Sequence, residues 1–330
     1  MTPFAPWSAR SAVMLAMLVA ICLACGIFRA QAQSTPTQPV RVLVGSSPGS
    51  SPDIVARAVS TQLGIELGQQ VYVENQSGAN TTLAIGTVVK AEPNGTTLLF
   101  SLGSIAPIPY VYKNLRFDIL RDLVPIATIG VLDGFVMVVH PALPATTVDR
   151  LIAYAHANHV VYGSPGVGST PHLAAETFKA KAGIAMDHVV FRGSGDGAVA
   201  LLSQSIHMMF VSPPSVLDMV KAGQLRAIAL SGGKPLAALP DVPLMREFIA
   251  DFPISRSWGI YFAPAKTPTA IIDKLNAAIR KTLRAPLVAG VLQGIGYFPD
   301  ERTPAETAEF FRQEVEATGE AVRLARIQPN

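Results

Sequence analysis

The sequence predicts an α/β protein built as two lobes, and three observations carry that prediction. Short β-branched runs alternate with amphipathic helical stretches. The runs break into loops of glycine, proline, serine and threonine just before several helices. This β-loop-α order occurs as two successive series, separated by an apolar stretch interrupted at Asp133 and Gly134.

The first unit sets the pattern. Val40, Val42 and Val44 form a strand that ends at Gly45, and a helix opens at Ser51, Pro52 and Asp53. Ser51 is the expected N-cap, Pro52 suits the first turn, and Asp53 suits the positive end of the helix dipole. Ile54, Val55, Ala58, Val59 and Leu63 share one apolar face. A strand over 71–74, a helix over 82–90 and a strand over 96–101 complete a βαβαβ series. That order predicts a parallel sheet covered by helices on both faces.

After His140 and Pro141 the pattern restarts. Helices are predicted over 148–157, 172–182 and 198–203, then one ending at Lys221. Strands are predicted over 159–162, 188–191, 206–211 and 225–230. Residues 257–263 form a strand returning from this second series. Thr267 and Pro268 cap a long helix to Leu283, and residues 296–298 are a short strand. Thr303 and Glu306 have capping-box spacing and open the terminal helix. The expected boundaries are 33–132 with 255–330 for lobe 1 and 133–254 for lobe 2. A hinge is expected where the chain crosses, near 130–136 and 253–260.

Residues 1–32 have the form of an export signal. Arg10 supplies the positive region, residues 12–28 are apolar, and Ala30, Gln31 and Ala32 give an A-x-A cleavage site. The apolar run is near the lower limit for spanning a bilayer, so a retained anchor is one alternative. Lipid attachment at Cys25 is another, although Cys22, Leu23 and Ala24 are only partly of the right type. Cleavage near Ala32 predicts a periplasmic protein of 298 residues out of 330. Both cysteines, Cys22 and Cys25, would leave with the signal, which excludes disulfides, thiolate metal sites and cysteine nucleophiles. Arg10 and Arg29 supply two of the three net positive charges, so residues 33–330 carry +1. A nearly neutral chain without lysine or arginine runs is no electrostatic binder of nucleic acid.

Three loops carry the candidate chemistry. The first, at 45–51, lies where a strand hands over to a helix N-terminus, the position at which open α/β sheets bind ligands and favour anions. It satisfies G-x-S-x-G with Ser47 at the nucleophile position, which raises an exported serine esterase as an enzyme alternative. The residue after Ser47 is Pro48, which has no N–H for an oxyanion hole, and this argues against it. The second loop places Ser164, Gly166, Gly168, Ser169 and Thr170 before Pro171, with Thr170 as the expected N-cap. The third is 192–197. His172 follows the second loop and serves either the helix N-terminus or a ligand. Asp196 is open in role, and Trp258 suits either a cleft wall or core packing. His156 and His159 are spaced so that a continued helix would bring them to one face, but no carboxylate or third ligand sits at metal spacing.

Ordered blocks along the whole of 33–330 then match one family. They are PVRVLVGSSPGSSPDIVAR, VYVENQSGAN, AEPNGTTLLF, YGSPGVGSTPHLAAETF, FRGSGDGAVALL, IHMMFVSPPSVLDMVKAGQLRAIALS, ALPDVPLMRE and SWGIYFAPAKTP. The chain resembles the extracytoplasmic solute receptors of tripartite tricarboxylate transporters, also called Bug receptors. The resemblance implies a type II periplasmic binding-protein fold, closing on a small organic carboxylate and docking on membrane permease subunits. A receptor serving a signalling partner is the alternative within this class. By position, ligand would meet Ser46, Ser47, Gly49, Ser50, Ser51 and Asp53 from one lobe. From the other it would meet Ser164, Gly166, Gly168, Ser169, Thr170, His172, Gly193 and Ser194, with Arg192 beside them. The carboxylate would be held by N–H groups, hydroxyls and water. No catalytic residue, metal or cofactor is implied, and the chain is expected to be a monomer.

Three departures from the family pattern stand out. The usual Pro-Gly-Gly-Gly-Thr-Asp is here Pro48, Gly49, Ser50, Ser51, Pro52 and Asp53. The turn after Gln76 usually carries more glycine than Gly78, Ala79, Asn80 and Thr81. Val211 stands where an aspartate is common.

Overall fold

The computed structural model describes residues 38–78 and 80–324. The expected signal segment 1–32, with Cys22 and Cys25, lies outside the described residues.

Two sheets organise the chain. The first contains β1 (Val40–Val44), β2 (Val71–Asn75), β3 (Thr97–Leu102), β4 (Leu123–Asp133), β10 (Arg256–Pro264) and β11 (Tyr297–Phe298), in the order β11-β4-β10-β3-β1-β2. The second contains β5 (Val136–Val139), β6 (Val161–Ser164), β7 (Asp187–Val190), β8 (Met208–Val211) and β9 (Arg226–Leu230), in the order β7-β6-β8-β5-β9. Parallel pairing holds for β2-β1-β3 and β7-β6-β8. The three strands of the βαβαβ series are thus parallel, as their order predicts, while the remaining pairs are antiparallel and make both sheets mixed. The reason is topological. β10 enters the first sheet where β4 leaves it, with Arg256 opposite Asp133, and must run against both β4 and β3.

Helices cover both faces. On one face of the first sheet, α1 (Ser51–Leu67) and α8 (Thr269–Arg284) bury Val55, Val59, Leu63, Ile272 and Ile279 against Val42, Leu98 and Phe100. On the other, α2 (Thr82–Val89) and α10 (Pro304–Leu324) bring Ile85, Val88, Phe311 and Val315 against Leu43, Leu99 and Phe262. β1 is thus buried on both sides from Val42 to Val44, which is why those three residues are all apolar rather than alternating. Trp258 belongs to this packing and not to a cleft wall. Its indole N–H donates to Glu314 at 2.7 Å, and its ring meets Phe310 and Phe311 edge-on at 5.8 Å. The second sheet is clad by α4 (Val148–Ala157) and α5 (Thr170–Ala182) on one face and by α6 (Ser194–Leu202) and α7 (Leu217–Lys221) on the other.

Several boundaries differ from the sequence expectation. The α1 cap is Ser50, not Ser51. The α5 cap is Ser169, not Thr170, and its Oγ accepts from the His172 N–H. In both, proline at the second helical position pushes the start one residue upstream of the expected cap. Helix α6 begins at Ser194 rather than 198. Its two glycines look like loop by composition, yet they fit a first turn that packs against the first loop. Helix α9 (Pro286–Gly294) was not expected, because Gly290 and Gly294 mask its periodicity. The capping box at Thr303 and Glu306 is present in both directions.

The chain passes between sheets at Asp133–Val136 and returns before Arg256. The crossing is tied laterally. The Phe135 N–H donates to Ser231 Oγ, the Ser231 N–H to the Phe135 carbonyl, and the Ser255 N–H to the Ser231 carbonyl. Asp133 accepts from the Gly233 N–H at 3.2 Å and faces Arg256 at 3.5 Å. Gly134 sits at φ +107°, and a Cβ there would lie 2.4 Å from the Gly232 nitrogen. Gly68, the α1 C-cap at φ +68°, has open space around it. Gly134→Ala should therefore lower stability by about 2 kcal/mol or more, and Gly68→Ala by only about 1 kcal/mol. Urea unfolding of both variants checks the ranking, and equal losses would contradict the close packing at the crossing.

Candidate functional site

The first loop is held by a buried carboxylate. Asp53, in the first turn of α1, accepts from the Gly49 N–H at 3.0 Å, from Arg57 Nε at 2.8 Å and from Asn75 Nδ2 at 3.0 Å. Asn75 also donates to the Ser46 carbonyl at 3.0 Å, and so ties the end of β2 to the same loop. Ser50 does not cap with its side chain. Its hydroxyl donates to the Ser47 carbonyl and shares a 2.6 Å bond with Ser46 Oγ. These bonds fix the loop's shape, and Ser46, Ser51 and Pro52 line the cleft.

The second loop is braced by histidines. His172 Nδ1 accepts from the Gly168 N–H at 3.0 Å, and His188 Nε2 lies 2.7 Å from Ser164 Oγ. The Ser164 hydroxyl also reaches the Gly166 carbonyl. The two imidazoles stack at 4.2 Å, and Tyr162 stacks on His188 at 4.8 Å. Tyr162 donates its hydroxyl to Glu176, which also pairs with Lys179 at 2.9 Å. Burial, and then the adjacent His188, push His172 down to about 4. Burial likewise lowers His188. Burial alone would raise Glu176, but hydrogen bonds from Tyr162 and Lys179 hold it below the usual glutamate value. Burial, reinforced by Glu176, raises the Tyr162 hydroxyl. His172 is thus neutral at pH 7, as the acceptor role of its Nδ1 requires.

Between the sheets lies a cavity of about 50 Å³. Its wall carries the hydroxyls of Ser46, Ser51, Thr81, Ser101, Ser104 and Ser257 on the first-sheet side, with the Asn80 amide. Ser194, Ser212 and Arg192 face them from the second side, and Phe135 closes the crossing. Three helix N-termini reach this wall, through Ser51 and Pro52 of α1, Pro171 of α5, and Gly193 and Ser194 at α6. No carboxylate lines it among the described residues. The two sides touch directly: Ser51 Oγ and Ser215 Oγ are 2.8 Å apart.

Of the residues singled out from the sequence, Ser46, Ser51, Gly193 and Ser194 line the cavity. Ser47, Gly49, Ser50, Asp53, Ser164, Gly166, Gly168, Ser169, Thr170 and His172 do not line it; several build the loops behind the wall. Residues the loop reading passed over are Asn80, Thr81, Ser101, Ser104, Ser212 and Ser257. Ser101, Ser212 and Ser257 share a signal, a small polar residue at or beside an end of a predicted strand, whereas Asn80, Thr81 and Ser104 stand in turns. His159 of the weighed metal pair is engaged with Asp187 at 2.7 Å. Among the described residues, no group of three or more His, Cys, Asp and Glu could hold a metal, and no helix is long and apolar enough to cross a membrane.

Two α/β bodies around a polar cleft, entered twice by the chain, define a periplasmic binding protein of the type II arrangement. The chain belongs to the tripartite tricarboxylate transporter receptor family, whose family model matches residues 55–325. It is 31% identical over 297 residues to protein BugT of Bordetella pertussis, covering 88% of this chain and 90% of BugT. Among solved structures it is similar to R. palustris Rpa4515 with adipate, at TM-score 0.85 and 27% identity over 90% of this chain and 100% of that one. It is similar too to MatC of Rhodopseudomonas palustris with bound malate, at TM-score 0.80 and 25% identity over 87% and 99%.

The histidine brace predicts a pH response. His172 holds fewer protons folded, at about 4, than unfolded, near 6.5. Its contribution to stability is therefore complete above about pH 6.5 and lost as pH falls toward 4. His172→Gln removes the titration, so its unfolding midpoint should fall less steeply than the parent's across that window. Parallel slopes would contradict the assignment.

Proposed function

We propose that this protein captures a small organic carboxylate in the periplasm, inside the cavity between its two sheets, and delivers it to the membrane permease subunits of a tripartite transporter. The observation that carries the reading is the charge pattern of the wall. Three helix N-termini, one arginine and a set of hydroxyls face a space that no carboxylate lines among the described residues. Helix N-termini present free N–H groups and partial positive charge, which suits an anion. Relatives support the choice: Rpa4515 was solved with adipate and MatC with malate.

The bodies that close on the ligand are 33–132 with 255–330 and 133–254, hinged at the tied crossing around Asp133 and Arg256. The exported form begins after cleavage near Ala32. The chain works as a monomer, since one chain supplies the whole wall. It binds without catalysing. Ser47 Oγ has no hydrogen-bond partner, Pro48 follows it, and no histidine lines the cavity among the described residues.

Thermal unfolding of residues 33–330 against carboxylates and their uncharged amides tests this. A carboxylate at about 100 times its Kd should add roughly 2.7 kcal/mol of stability, and its amide should add little. Arg192→Gln should weaken that carboxylate about tenfold or more, the loss of one charge-assisted contact. Equal stabilisation by amides would overturn the anion reading. Labelling of Ser47 by a fluorophosphonate would instead revive the esterase.

A further inference from the structure

A second recess opens beside α2, with a volume of about 580 Å³. It shares no lining residue with the ligand cavity. One wall is the side of α2 that carries Leu83, Gly86 and Lys90, opposite the buried Ala84, Ile85 and Val88. The other wall is residues 114–117, with Leu115, Arg116 and Phe117. Glycine inside a helix costs stability. A Cβ on Gly86 would meet nothing within 4 Å, so no packing among the described residues calls for glycine there, and its effect is to leave the recess open.

The recess joins two chemistries. Leu83, Leu115 and Phe117 make it apolar, and Leu83 is 52% exposed. Lys90 and Arg116 stand exposed at it, and neither forms an ion pair with a described residue. No carboxylate lines it among the described residues. Asp118, next along the chain, is turned to the N–H groups of Leu120 and Arg121, and Glu92 lies beyond the end of α2. An apolar recess with unpaired cations is complementary to an acidic amphipathic partner. Its shape narrows the class. A small ligand is held by burying most of its surface, which a recess with exposed walls does not do. An anionic bilayer is captured by clusters of about four or more cations, and here there are two in a concave setting. The recess matches a helix laid in a groove. The eight residues of α2 span about 12 Å, or two turns of such a helix.

We infer that this groove is the surface through which the protein docks on its partner, and that the partner fills it with an acidic amphipathic helix of about two turns. Apolar residues of that helix meet Leu83, Leu115 and Phe117, and its carboxylates meet Lys90 and Arg116. The groove is placed to serve delivery, because one turn links it to the ligand: Gln76 and Thr82 line the groove, and Asn80 and Thr81 line the cavity. That the partner is a permease subunit rests on the reading given above. The chemistry the partner must present rests on the groove.

Fluorescence anisotropy on residues 33–330 with three labelled synthetic helical peptides tests it. The first carries a leucine stripe flanked by glutamates. The second has lysine for each glutamate, and the third has the residues of the first in an order without the stripe. The parent should bind the first at least tenfold tighter than either of the others. Lys90→Glu combined with Arg116→Glu should reverse the order of the first two. Gly86→Gln, which enters open space, should weaken the first peptide at least fivefold while leaving the unfolding midpoint unchanged or raised. Protection from hydrogen exchange by the first peptide should fall on residues 82–90 and 114–117. Failure of the first peptide to bind, equal binding of all three, protection elsewhere, or an affinity that the variants leave unchanged overturns the inference. So does capture of dodecanoate or of anionic vesicles, lost on the double charge reversal, where the acidic peptide is not captured. Thermal unfolding of the same proteins with carboxylates keeps the two readings apart. The variants lie outside the cavity and should retain the parent's stabilisation. A parent that no carboxylate stabilises loses the receptor reading, while the peptide result decides the groove by itself.

Discussion

The wall of the cavity depends on one buried carboxylate. Asp53 would be costly to bury alone, so the chain surrounds it with three donors from three places: the loop, the next turn of α1, and the end of β2. Asn75 spends its second amide hydrogen on the Ser46 carbonyl. One carboxylate thereby sets the exit of β1, the start of α1 and the exit of β2, and with them the turn that reaches Asn80 and Thr81. The arrangement explains why Asp53 does not line the cavity. A carboxylate already saturated by donors contributes shape, and keeping it behind the wall spares a bound anion its charge.

The attraction for an anion is then local. With nearly balanced charge over residues 33–330, little long-range field gathers ligand. What acts instead are helix N-termini and hydroxyls at contact distance in a closed space, where bulk salt screens weakly. Hydroxyls suit this role because they rotate to donate or accept, and so tolerate a ligand whose second oxygen sits at varied angles. Closure follows from the same residues. Ser51 touches Ser215 across the cleft, and the first turn of α6 packs against Pro48 and Gly49, so the loops that line the cavity also make the contact between bodies.

Much of this was legible in the chain. β1, α4 and the Thr303 capping box rest on local patterns, and the structure reproduces them. The strand-to-helix loops pointed to the space between the sheets because parallel strands end on the same edge of a sheet. What the chain concealed was which face of each loop looks inward. Ser46 and Ser50 are the same residue type four positions apart, yet one lines the cavity while the other is turned to the Ser47 carbonyl. Ser101, Ser212 and Ser257 were hidden for another reason. Each sits at or beside the end of a strand whose apolar run dominates its neighbourhood, and only the pairing of β10 with β3 brings Ser257 and Ser101 to one wall. The mixed sheet order could not be read locally, since it depends on β10 returning beside β4.

Two serine features that resemble catalytic parts have a common structural origin. Ser47 satisfies a nucleophile-elbow spacing because a tight strand-to-helix turn demands small residues at those positions, whatever the turn is for. Ser164 and His188 make a Ser–His contact of nucleophilic length, but Ser164 is fully buried, its hydroxyl also engages the Gly166 carbonyl, and neither lines the cavity. A catalytic pair needs a base that is free to take a proton and a nucleophile that meets the substrate. Here the imidazoles are occupied in holding a glycine-rich loop in one shape. The same residue types therefore do opposite work: in an enzyme they move protons at the cleft, and in this fold they hold rigid a loop that stands behind its wall.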